Sequence, residues 1–134
     1  MKTGLLSILC LLPALLKTKA RILENGLNII IGVEHFYVYD NESSDNTKEV
    51  LQPYIDAGDV TYIYFPGRDR QDPAYCHATA HFGQETRWMA VVDLDEFIVL
   101  HEKDNLRDFM AEYADCSQIS LHWVIYGSSG HEKR

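Results

Sequence analysis

At 134 residues the chain fits one domain, and two full domains would be crowded. Hydrophobic residues make up 46% and charged residues 24%, a globular balance that excludes global disorder. Lys+Arg 12 against Asp+Glu 20 gives a net charge of -8 with no basic run. That excludes a nucleic-acid partner gripped through its phosphates and suits chemistry assisted by a cation.

Met1-Lys2 precedes the apolar stretch from Gly4 to Leu16, which Pro13 interrupts. Two readings stand side by side. One is a targeting segment with a basic start and a short apolar core. The other is a buried first strand over Leu5 to Leu12. The stretch is too short to span a bilayer. Lys17 to Ile31 reads as a helix weakened by Gly26 and stopped by Gly32.

His35 to Tyr39 reads as an aromatic strand that ends in the polar loop Asp40 to Thr47. Asp45 or Asn46 caps the next helix, which Pro53 is expected to kink or shorten and Gly58 to close. Val60 to Phe65 is the following strand. Asp72 as cap and Pro73 at the first helical position open a helix that runs to about Glu85. Trp88 to Val92 is an uninterrupted apolar run, read as a central strand covered on both faces. Asp104 is expected to cap a helix carrying Leu106, Phe109, Met110 and Tyr113 on one side. Ser117 to Tyr126 alternates like a last strand. Strands alternating with helices predict an α/β layer fold with a mainly parallel sheet. In such sheets ligands bind outside the carboxyl ends of the strands.

Two of these strands end in carboxylates. Asp93 and Asp95 stand at i and i+2, so in extended chain they face the same way. Carboxylates that close repel unless a cation neutralises them or one is protonated. Oxygen ligands suit magnesium or manganese, which keep positions open for phosphate oxygens. The alternative is a solvated strand end that caps the next element. Asp40 to Thr47 offers acceptors for a base or ribose, or serves as ordinary turn and capping chemistry. His77, His81 and Glu85 fall at i, i+4 and i+8, on one face of the predicted helix. A half-exposed face or one His turned to the crevice suits them better than a metal site, since the Glu of His-Glu-x-x-His is missing. Cys10, Cys76 and Cys116 lack any Cys-x-x-Cys pair and read as buried small residues or free thiols, with one disulfide still open.

Three segments carry a resemblance. They are Val33 to Thr47, Arg87 to Phe97 around Asp93-Leu94-Asp95, and Gly127-Ser128-Ser129-Gly130-His131. In that order they resemble glycosyltransferase family 92 and its relatives in the family 2-like group, over roughly Lys17 to Arg134. The resemblance implies a GT-A fold, a Rossmann-like sheet that binds a nucleotide sugar. It implies donor contacts by Asp40, Asn41, Asp45, Asp93 and His131. It implies a metal, Mn2+ or Mg2+, held by Asp93 and Asp95. A UDP-sugar would be the donor, with galactose the transferred sugar in characterised members, and a glycan or other hydroxyl the acceptor. A eukaryotic member would be membrane-anchored and face the Golgi lumen, and a bacterial relative would work at the cytosolic side.

The chain departs from the family pattern at Lys17-Thr18-Lys19-Ala20, at Gly26, and at Glu42, where the broader group carries Gly. It also ends just after the Gly-Ser-Ser-Gly-His loop, so the expectation is the donor-binding half of the domain, with the catalytic base beyond Arg134. Two other functions compete with transfer. One is a nucleotide-sugar-binding remnant without turnover. The other is a haloacid-dehalogenase-like phosphohydrolase with Asp93 as nucleophile. Glu96-Phe97 fits the second poorly, because a small residue and Thr are expected there.

Overall fold

The computed structural model describes residues 6–12, 32–93, 96 and 98–125. Four strands, β1 (Leu6–Leu12), β2 (His35–Asp40), β3 (Val60–Tyr64) and β4 (Trp88–Asp93), form one sheet in the order β3-β2-β1-β4. All three pairings are parallel. Parallel neighbours need crossovers, and here these are α1 (Thr47–Ala57) and α2 (Gln71–Phe82), with α3 (Leu106–Ala111) following β4. The chain steps outward from β2 to β3 and then returns past β2 and β1 to β4. Right-handed crossovers in opposite directions put their helices on opposite faces of a sheet.

The core divides accordingly into two clusters. On β2, Val38 packs with Leu51 of α1 and Val60 of β3, flanked by Phe36, Tyr54, Ile55 and Tyr62. The alternate positions Tyr37 and Tyr39 pack against Ala74 and Ala78 of α2, with Ile63, Phe65, Phe82 and Met89 around them. Small residues on α2 let the helix come close to a sheet face already filled by two phenol rings. Tyr39, Leu51 and Val38 are among the largest fully buried side chains. Burying an aliphatic side chain of the size of Leu51 contributes about 1.5–3 kcal/mol.

Several boundaries differ from the sequence-based expectation, each for a local reason. α1 runs past Pro53 to Ala57, because Leu51, Tyr54 and Ile55 anchor it on both sides of the lost N–H. Gly58 closes it as expected, with a left-handed φ of 84°. α2 starts at Gln71, ahead of the expected Asp72 cap, because Ala74 N–H donates to Arg70 C=O at 2.9 Å and closes the first turn there. Pro73 is therefore the third helical residue, still within the turn whose N–H groups have no intrahelical partner. α2 also stops at Phe82, short of Glu85.

α3 is capped by Asn105 and not by Asp104: Asp108 N–H donates to Asn105 Oδ1 at 2.8 Å. Tyr113 lies beyond the helix end, although its ring still meets Phe109 at 5.1 Å. β4 is an edge strand among the described residues, with Val91 49% exposed, so the expected central position belongs to β1. An apolar run marks a strand that wants cover without saying which neighbour supplies it. Residues 117–125 form no strand, and Leu121, Trp123 and Ile125 stand exposed. Their alternation suits a half-buried strand, but that state requires a strand to pair with. Cys76 and Cys116 are free and exposed, not buried. The expected helix Lys17 to Ile31 and the loop Gly127 to His131 lie outside the described residues.

Candidate functional site

The sheet register puts two carboxylates at the same edge. Leu12 of β1 pairs with Asp40 of β2, and Leu11 pairs with Asp93 of β4. The two residues thus end the strands on either side of β1, two strand spacings or about 10 Å apart. The chain connections diverge here, since β2 and β4 lie on opposite sides of β1. A reversal of strand order of this kind opens a crevice at the carboxyl edge.

The two side chains differ in setting. Asp40 shares its side of β2 with Val38, toward α1, and is buried. Its Oδ1 accepts from Ser43 N–H at 3.0 Å and from the Ser43 hydroxyl, and its Oδ2 accepts from the Tyr62 hydroxyl. The Tyr62 phenol is raised above its ordinary range, first by burial and then by that hydrogen bond to Asp40. Asn41 donates from Nδ2 to the carbonyls of Phe65 at 3.0 Å and Gly67 at 2.8 Å, which ties the loop after β2 to the loop after β3. Asp45 is exposed, and its Oδ1 accepts from Thr47 N–H at 3.2 Å and from the Thr47 hydroxyl. The loop therefore does the turn chemistry that the sequence offered as one reading, while the N-cap of α1 is Asn46 and carries no side-chain capping hydrogen bond. Its carboxylates hold the backbone of residues 40–47 in shape.

Asp93 follows the parity of Met89, toward α2. It is half-buried, and Gln71 Nε2 stands 3.5 Å from its Oδ1. Its own N–H donates to Glu96 Oε2 at 2.9 Å. Sequence reasoning missed both Gln71 and Glu96. The signal for Gln71 was present: a crossover helix leaves the carboxyl edge of one strand, so its first turn lies over that edge. Asp95 and His131, expected at the metal and at the donor, lie outside the described residues. Among the described residues no group of three or more His, Cys, Asp or Glu side chains is placed to hold a metal. The half-buried Asp93 carboxylate at the crevice is nonetheless a donor of the kind a hard divalent cation takes.

His77 and His81 share one side of α2, with ring centroids 4.0 Å apart. Glu85, expected on the same face, lies beyond the helix end, where its Oε2 accepts from the Tyr37 hydroxyl at 3.1 Å. His77 Nδ1 lies 2.7 Å from the Tyr39 hydroxyl.

The model of glycosyltransferase family 92 matches residues 26–133. A glycosyltransferase family 92 protein of Oryza sativa subsp. japonica is 27% identical over 125 residues, 89% of this chain and 21% of its own length. One from Ricinus communis is 28% identical over 109 residues, 75% of this chain and 19% of its own. One from Arabidopsis thaliana is 25% identical over 112 residues, 75% of this chain and 20% of its own. The chain thus spans about a fifth of the length of these relatives. No solved structure matches it. Among the described residues no helix is long and apolar enough to cross a membrane.

Proposed function

From the premise that this chain belongs to glycosyltransferase family 92, we propose that it forms the donor-binding half of a GT-A glycosyltransferase. The enzyme would move a hexose, with galactose the first to test, from a UDP-sugar to a hydroxyl of a glycan or similar acceptor. The observation that carries this reading is the parallel sheet whose order reverses at β1, with Asp40 and Asp93 closing the strands on either side. Family membership sets aside the phosphohydrolase reading.

In this proposal the nucleoside lies against the loop of residues 40–47. Asp40 and Asp45 hold that loop in shape, and Asn41 fixes it to the end of β3. The diphosphate lies at the crevice beside Asp93, with His131 as a further donor contact. Asp93 and Asp95 are the residues that would hold Mn2+ or Mg2+, which supplies neutralisation of the charge on the departing diphosphate. Gln71, within reach of Asp93 Oδ1, keeps that carboxylate oriented at the end of β4. The acceptor hydroxyl attacks the anomeric carbon as the bond from that carbon to the diphosphate oxygen breaks, and a general base takes the hydroxyl proton.

Calorimetric titration of the chain with UDP, with and without manganese, tests the donor site. Binding should require manganese, and Asp95→Asn should weaken it at least tenfold. Equal UDP binding by the variant in the presence of manganese would overturn the assignment.

A further inference from the structure

Resting on the donor-binding reading above, we propose that Arg70 is a further donor contact, whose guanidinium takes the phosphate nearer the nucleoside. A chain of net charge -8 repels a diphosphate at long range. A cation fixed beside the crevice offsets that repulsion at a place the carboxylates cannot serve.

The loop of residues 65–70 follows β3, and Arg70 is the N-cap of α2. Three contacts fix its side chain. Nε–H donates to the Pro66 carbonyl at 2.7 Å. Cζ stands 5.5 Å from the centroid of the Phe65 ring, within the range of a cation–π contact. Gly67, at φ 118°, offers bare backbone: a Cβ there would stand 2.6 Å from Nε and 2.9 Å from Nη2. Nε is then engaged, and the Nη hydrogens remain for a ligand. The ion pairs among the described residues are Lys103–Glu112 and Arg107–Glu34, so Arg70 has no carboxylate partner among them. A planar fork held in one orientation matches phosphate oxygens in pairs and loses less freedom on binding than a loose side chain. Arg68, exposed in the same loop, has no comparable restraint among the described residues.

The neighbours of Arg70 join both ends of the proposed donor site. Asn41 Nδ2 donates to the carbonyls of Phe65 and Gly67, which ties the loop that carries Arg70 to the loop placed at the nucleoside. Gln71, next in the chain, reaches Asp93 Oδ1 at 3.5 Å. The guanidinium therefore belongs to the segment that runs from the nucleoside loop to the carboxylate at the metal. Its charge meets the phosphate closer to the nucleoside, and the farther phosphate lies beside Asp93.

The test is calorimetric titration of the full chain with UDP in the presence of manganese, for the parent, Arg70→Gln and Arg68→Gln. Both arginines are exposed, so the variants should keep the parent's circular dichroism and urea midpoint. Arg70→Gln should weaken UDP binding at least tenfold, and Arg68→Gln should bind as the parent does. Raising salt from about 0.1 M to about 1 M shortens the Debye length from about 10 Å to about 3 Å. The affinity of the parent should then fall more steeply than that of Arg70→Gln, because the parent has one more charge contact to screen. Equal affinity in Arg70→Gln, an equal loss in Arg68→Gln, or parallel salt dependence in the parent and Arg70→Gln would each overturn the contact. Those outcomes leave the donor site itself standing, since the parent still binds UDP. A folded parent that binds no UDP would remove the donor reading and this contact with it.

Discussion

Glu42 carries a backbone cost that its side chain does not repay. Its φ is 59°, in the left-handed region, and it is exposed within the loop after β2. A non-glycine residue there costs roughly 1–2 kcal/mol. Glycine adopts the conformation freely but gives up roughly 0.5–1 kcal/mol more conformational entropy on folding. Glu42→Gly should therefore stabilise the chain by about 0.5–1 kcal/mol, the difference between those terms. The urea midpoint should rise with an unchanged slope, and a midpoint that falls would sink the argument. The resemblance read from the sequence implies Gly at this position, so the departure coincides with a left-handed backbone. Asp69, at φ 51°, is a weaker case, because Asp enters the left-handed region more readily.

At the scale of elements, the sequence spoke clearly wherever one segment decides its own state. The aromatic strand of residues 35–40, the Gly58 stop and the strand of residues 88–93 all follow from local chemistry. It spoke poorly where a partner decides. Ser117 to Ile125 alternates like a strand, yet no strand forms without a neighbour, and the edge position of β4 depends on β1 far away in the chain. The site divides in the same way. Strand ends marked Asp40 and Asp93, whereas Gln71 and Tyr62 reach them only through the fold. The joint between α2 and β2 is another product of folding, because Tyr39 and His77 meet across 38 positions. It also has a pH consequence. The fold holds the pKa of His77 below the unfolded value of about 6.5, so folding favours the neutral ring. That contribution is present above the unfolded pKa and is lost as pH falls through it toward the lower folded value. Tyr39 stays protonated throughout this window. With chelator present to remove metal, the thermal midpoint should fall between about pH 7 and pH 5 by more in the parent than in His77→Gln. Parallel curves for the two proteins would show that His77 is not part of the acid response.

For the whole molecule, the element on which the sheet depends most is the segment whose sequence allowed two readings. β1 pairs with β2 on one side and β4 on the other, over Ser7 to Leu12 and Leu6 to Leu11. The α1-covered unit of β2 and β3 and the α2-linked strand β4 meet in the sheet only through it. It also sets the distance between Asp40 and Asp93, so the geometry of the crevice depends on the same ladder. A proline in an inner strand removes a ladder hydrogen bond and costs about 3 kcal/mol or more in a regular element. Against a total stability of roughly 5–15 kcal/mol, that is a large fraction. Leu9→Pro, at the middle of β1, should lower the urea midpoint sharply and abolish manganese-dependent UDP binding in the same sample. Both effects are expected because one strand aligns both carboxylates. A variant that unfolds at the parent midpoint would mean that β2 and β4 are joined by some route other than β1.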